Sequence, residues 1–66
     1  MQITINAQQH QVAEDCTLAQ LLVQLGLQGK PLAVEVNLQL VPRQRHADHR
    51  LAPGDQLEIV TLVGGG

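Results

Sequence analysis

Polar and apolar positions change period along this chain, and the changes divide it into elements. Gln2-Ile3-Thr4-Ile5-Asn6 alternates polar with β-branched apolar residues, the period of a half-buried strand. Asn6-Ala7-Gln8 reads as a turn into a weaker strand from Gln9 to Ala13 with Val12 facing inward, so the two strands form an antiparallel hairpin. The period then lengthens. Leu18, Leu21, Leu22 and Leu25 fall at i, i+3, i+4 and i+7, one apolar stripe on a helix. Thr17 followed three residues later by Gln20 is a capping box, Cys16 and Leu21 occupy the staple positions, and Gly26 suits the residue just past the helix end.

Leu32-Ala33-Val34-Glu35-Val36 shows little alternation, as a strand covered over most of its length does. Asn37-Leu38 turns it into a short strand from Gln39 to Val41 that ends at Pro42. Residues 43–50 are polar and mark no regular element beyond a short helical turn. Pro53-Gly54-Asp55 is a turn, and the last strand runs from Leu57 to Val63. A hairpin, one helix and further strands, with the final strand beside the first in the sheet centre, predict an α+β domain. Its architecture is a β-grasp: a mixed four- to five-stranded sheet with one main helix packed on one face.

Composition narrows what such a domain can do. The 66 residues contain no Phe, Tyr or Trp, so the core rests on eleven Leu, seven Val and three Ile, and a broad pocket lined by aromatics is not expected. A net charge of -2, with Lys30, Arg43, Arg45 and Arg50 as the cations, gives no basic stripe for phosphates, and bases have no aromatic platform to stack on. Nucleic acid is therefore not an expected partner. A single cysteine excludes an internal disulfide and a Cys-rich metal site. With neither a signal-like start nor a long apolar run, it points to a cytoplasmic protein without membrane contact.

The last residues, Gly64-Gly65-Gly66, follow the strongest β segment. The domain is thus expected to span residues 1–63, with 64–66 as a flexible tail. Two readings of that tail stand side by side. It is a frayed end, linker or domain boundary, or it is an arm that carries a terminal carboxylate into a partner's narrow channel, where glycines offer backbone groups to grip and no side chains to obstruct. In the second reading, adenylylation from ATP turns a carboxylate oxygen into a leaving group, and a sulfur nucleophile then converts the carboxylate to a thiocarboxylate. On the last strand Val60 and Leu62 face away from the helix and form an apolar patch beside the tail, either a docking surface or ordinary exposed aliphatics. Cys16 reads as a buried staple. His46-Ala47-Asp48-His49 and His10 read as solvated polar residues and not as metal ligands.

In whole-chain order the sequence resembles the ThiS family, the sulfur carriers of thiamine biosynthesis. The resemblance rests on Met1-Gln2-Ile3 with Asn6, Thr17-Leu18 with Leu21-Leu22 and Leu25, and Val34-Glu35-Val36-Asn37. It continues through Val41-Pro42-Arg43, Leu51 with Gly54-Asp55, Leu57-Glu58-Ile59-Val60 and Val63-Gly64-Gly65-Gly66. It implies a ubiquitin-like β-grasp and a non-enzymatic carrier. Gly66 would be adenylylated by an E1-like adenylyltransferase that uses ATP, then converted to a thiocarboxylate with sulfur from a persulfide protein. Thiazole synthase would receive that sulfur, and the carrier itself would bind no cofactor. Gly64, Gly65, Val60, Leu62 and Val63 are the expected partner contacts. The alternatives are a carrier for another pathway, such as molybdopterin synthesis, and a ubiquitin-like interaction domain with an inert tail. Two positions depart from the family pattern: Ala7 stands where glycine is frequent in the first turn, a change expected to distort the hairpin, and His46 lies near the place of an aromatic after Pro42-Arg43.

Overall fold

The computed structural model describes residues 1–62. Strand β1 (Gln2–Ile5) and strand β2 (Gln8–Gln11) form the predicted hairpin, in the register Ile3 opposite His10. The second strand begins one residue earlier than the alternation suggests and ends at Gln11. The pairing continues past it, because the Val12 N–H donates to the Met1 carbonyl at 2.8 Å. Val12 is buried as expected.

Helix α1 (Leu18–Gln24) starts and stops on its sequence signals. The Thr17 hydroxyl accepts from the Gln20 N–H at 3.2 Å, and the Gln20 side chain accepts from the Thr17 N–H at 2.9 Å. At the other end Gly26 has φ +73°, its N–H donates to Val23 O at 3.0 Å, and the Leu27 N–H donates to Leu22 O at 2.8 Å. Those two bonds close a Schellman motif. The first helical N–H groups are satisfied from an unexpected direction. Leu18 donates to His49 O at 2.9 Å and Ala19 to His46 O at 3.0 Å, which ties the polar 43–50 segment across the start of the helix. Within that segment only Arg43–Arg45 forms a short 3-10 turn.

Strand β3 (Leu32–Val36) and strand β4 (Gln39–Leu40) form a second hairpin, and strand β5 (Gln56–Thr61) completes a five-stranded sheet in the order β2-β1-β5-β3-β4. The last strand lies next to the first, in parallel, with Ile5 opposite Leu57, and runs antiparallel to β3. On one face Ile3, Ile5, Val34, Val36, Leu57 and Ile59 join Leu18, Leu21 and Leu22 of the helix in a single aliphatic cluster that also holds Cys16. Core formation without aromatics is thereby achieved by interdigitating branched side chains.

Both hairpin turns place two consecutive non-glycine residues in the left-handed region: Asn6 and Ala7 at φ 49° and 69°, Asn37 and Leu38 at 51° and 69°. This is the type I′ pattern whose twist matches the flanking strands. The first hairpin therefore keeps regular pairing with Ala7 in place, contrary to the distortion expected of that residue, and the conformation costs Ala7 roughly 1 kcal/mol that glycine would avoid.

Candidate functional site

The open face of the sheet, opposite α1, is built by the period-two alternation of β5. Leu57 and Ile59 point into the core, while Glu58 and Val60 point away from it, and Leu62, just past the strand, is exposed. Val60 is 56% exposed and Leu62 is 53% exposed. The antiparallel register sets Ala33 of β3 beside Val60, and Glu35 beside both Glu58 on one side and Leu40 on the other. Leu40, beside Glu35, is 65% exposed, and Val60 follows Glu58 two residues along β5. The strand remains anchored to its end, since the Leu62 N–H donates to Pro31 O at 2.9 Å. Of the predicted partner contacts, Val60 is thus displayed on the open face and Leu62 is exposed just beyond the end of the strand. Val63, Gly64, Gly65 and Gly66 lie outside the described residues.

Two asparagines hold β5 in position, a role that sequence reasoning missed. Asn6 donates through Nδ2 to Ile59 O at 3.1 Å and accepts at Oδ1 from the Ile59 N–H at 2.8 Å, so its side chain replaces a strand residue beyond the end of β1. Asn37 accepts from the Gln56 N–H at 3.0 Å and donates to Asp55 Oδ1 at 3.0 Å. Asp55 is buried, and its other oxygen accepts from the Ala52 N–H at 2.8 Å, which fixes the turn that launches the strand. The signal that could have found this role is Asn in the first left-handed position of each turn, where a short amide is close enough to return to backbone.

The remaining reactive side chains are structural. Cys16 is 1% exposed, its thiol contacts Thr17 O at 3.4 Å, and burial pushes it above the ordinary thiol range. His46 is buried instead of solvated: its Nε2 donates to Val41 O at 2.9 Å, filling the space behind the 43–45 turn. Among the described residues no three His, Cys, Asp or Glu side chains gather as a metal site, and no helix is long and apolar enough to cross a membrane. On the helix side, an open groove of about 340 Å³ runs beside Leu22, Leu27, Leu32 and His46, with Lys30 and Arg43 among its lining residues. The Arg43 guanidinium donates to Lys30 O at 3.0 Å. It has no nucleophile or acid–base pair beyond the buried imidazole.

Residues 3–66 match the ThiS family. The chain is 38% identical over 66 residues to the sulfur carrier protein ThiS of Escherichia coli strain K12, covering all of both chains. It is also 38% identical over 66 residues to a thiazole synthase of Paramagnetospirillum magneticum, where it spans 20% of that protein's length. In three dimensions it resembles the crystal structure of the thiamine biosynthesis protein ThiS from Geobacter metallireducens, with a TM-score of 0.85 and 29% identity over the full length of both chains.

Proposed function

The chain belongs to the ThiS family, the sulfur carriers of thiamine biosynthesis, and from that membership we propose that Gly66 is the group that carries the sulfur. The observation that carries this reading is the similarity to the Escherichia coli carrier over the whole of both chains, a span that reaches residues 64–66. In this mechanism a carboxylate oxygen of Gly66 attacks the α-phosphorus of ATP in the active site of an E1-like adenylyltransferase, and pyrophosphate leaves. The terminal sulfur of a persulfide protein then attacks the acyl carbon and AMP departs. A thiol cleaves the resulting sulfur–sulfur bond and leaves the thiocarboxylate. Thiazole synthase is the acceptor, a partner suggested by the relatives in which a domain like this one occupies part of a thiazole synthase chain.

The body of the protein contributes position and not chemistry. Gly64 and Gly65 thread the partner's channel because they present only backbone, and Val60, Leu62 and Val63 supply the apolar contact beside it. ATP is held by the adenylyltransferase, so the carrier needs no bound cofactor of its own. A cytoplasmic setting suits the free thiol of Cys16.

Intact mass spectrometry tests the proposal. Incubation with ATP, the adenylyltransferase, a persulfide donor and a thiol reductant is expected to add the mass difference between sulfur and oxygen at the C-terminus, and deletion of Gly66 is expected to abolish it. An unchanged mass in the full-length chain would overturn the carrier role.

A further inference from the structure

The groove on the helix side brings together three polar groups that the carrier reading leaves unused. Leu22, Leu27 and Leu32 give it an aliphatic lining, and its volume of about 340 Å³ is at the small end for ligand sites. Two cations line it as well. Arg43 is pinned there, because Nη2 donates to Lys30 O at 3.0 Å and leaves the other guanidinium donors without a partner among the described residues. Neither Arg43 nor Lys30 pairs with a carboxylate among those residues, where the ion pair is between the Met1 ammonium and Glu14. His46 is the third polar group and is only 7% exposed. Its Nε2–H is taken by Val41 O at 2.9 Å, so Nδ1 of the neutral ring is an acceptor, and no described residue donates to it. That nitrogen is left for a donor from outside the chain.

We propose that this groove docks the C-terminal residue of a partner polypeptide, one with an aliphatic side chain. Such a residue carries the three matching groups on a single Cα. Its N–H meets His46 Nδ1, its side chain packs on Leu22, Leu27 and Leu32, and its carboxylate takes the free donors of Arg43 and the Lys30 ammonium. The two unpaired cations select a chain end over an uncharged segment, and the imidazole acceptor selects it over a simple aliphatic acid, which has no N–H. An acidic residue within a peptide fits less well, because its aliphatic neighbour belongs to another residue and a groove of this size holds about one. An open groove covers its occupant on one side only, so a free amino-acid derivative binds weakly, whereas a chain end is delivered by the rest of its protein. The site is on a different face from Val60, and it does not depend on sulfur transfer at Gly66.

Titration of the isotope-labelled full-length chain with N-acetyl-L-leucine, followed by NMR, is the test. The probe is expected to bind with a dissociation constant on the order of a few millimolar. It should shift the amides of Val23, Lys30 and Arg43, and the His46 Nδ1 resonance should move as that nitrogen accepts a hydrogen bond. N-acetyl-L-leucinamide, which lacks the charge, and the N-methylated acid, which lacks the N–H, are each expected to bind at least about fivefold more weakly. Arg43→Gln should weaken the acid by a similar factor and leave the amide unchanged, a pattern that a general loss of structure would not give. Absence of binding, equal binding of acid and amide, or shifts spread outside the groove would overturn the proposal. So would N-acetyl-triglycine binding as tightly as N-acetyl-L-leucine, since the groove would then suit a glycine end such as this chain's own. Equal binding of acetyl-Leu-Glu-Leu-amide would reassign it to an internal acidic segment and overturn the chain-end occupant. Sulfur transfer at Gly66 is read separately by the mass measurement, so failure here and failure of the carrier reading are distinguishable.

Discussion

The side-chain amide of Asn6 meets both backbone groups of Ile59, at 3.1 Å to its carbonyl and 2.8 Å from its N–H, across 53 residues of sequence. The Asn6 N–H itself donates to Leu57 O at 2.9 Å, so main chain and side chain of one residue continue the ladder of β1 along β5. On its β1 side, the strand that leads to the glycines is held at that point by a turn residue and not by a strand.

Replacing Asn6 with glycine keeps the left-handed backbone but removes the amide. Two groups of Ile59 then lose their partners, at about 1 kcal/mol each. Asn6→Gly is expected to lower unfolding free energy by about 2 kcal/mol in urea titration, and Asn6→Asp, which keeps the acceptor, by less. A glycine variant as stable as the parent would show that the amide contributes nothing.

Backbone conformation predicts opposite signs at two positions. Ala7, at φ 69°, is in a region that glycine enters freely, so Ala7→Gly is expected to stabilise the protein by about 0.5 kcal/mol once the greater freedom of the unfolded glycine is subtracted. Gly26 is at φ +73° with open space where a Cβ would go. Gly26→Ala therefore meets no clash, and its expected loss of about 1 kcal/mol comes from the dihedral alone. Denaturation midpoints of the two variants, on either side of the parent's, check both.

Cys16 gives the fold a dependence on alkaline pH. Burial raises its thiol above its ordinary value, so the unfolded chain loses this proton before the folded one does. The stabilisation is complete below that value and declines as pH rises through it toward the folded value. Stability measured at about pH 8 and about pH 10.5 should fall more in the parent than in Cys16→Ala. The native thiol should also react slowly with alkylating reagents at neutral pH, because it is buried and protonated.

The elements of this fold were legible wherever the cause is local. Thr17 with Gln20 and Gly26 marked both helix ends, and the alternation in β5 assigned Val60 to the open face. What escaped sequence reasoning depends on contacts between distant residues. Residues 43–50 look like solvent-exposed loop because their side chains are polar, yet the carbonyls of His46 and His49 complete the start of α1, and the His46 ring is buried against Val41 O. Nothing within that segment reveals which donors its backbone will meet. Asp55 and Asn37 were hidden in the same way, since each reads as an ordinary turn residue until the two turns are brought together.

His46 can be tested on the same ground. His46→Ala removes the donor to Val41 O and leaves a gap behind the 3-10 turn, for an expected loss of about 2 kcal/mol. The helix start should loosen with it, because the 43–50 carbonyls cap that end. Hydrogen exchange at Leu18 and Ala19 should accelerate more than exchange at Val34 in the sheet centre. Equal acceleration everywhere would mean that the ring supports only global stability.

Val60 and Leu62 contribute little to the isolated fold because more than half of each is exposed, so substitutions there separate docking from stability. Val60→Thr keeps the branched shape favoured in strands, and Leu62→Gln keeps much of the volume. Each is expected to change unfolding free energy by no more than about 0.5 kcal/mol. In a complex that covers them, however, the apolar area still open on each side chain would be worth about 1 kcal/mol, or roughly a fivefold change in affinity. The KM of the carrier in ATP-dependent thiocarboxylate formation should rise accordingly for each variant. Leu38→Gln, at the 87%-exposed tip of the other hairpin, should leave it unchanged. If the Leu38 variant weakens the reaction as much as the Val60 and Leu62 variants do, the apolar contact is not confined to the open face beside the tail.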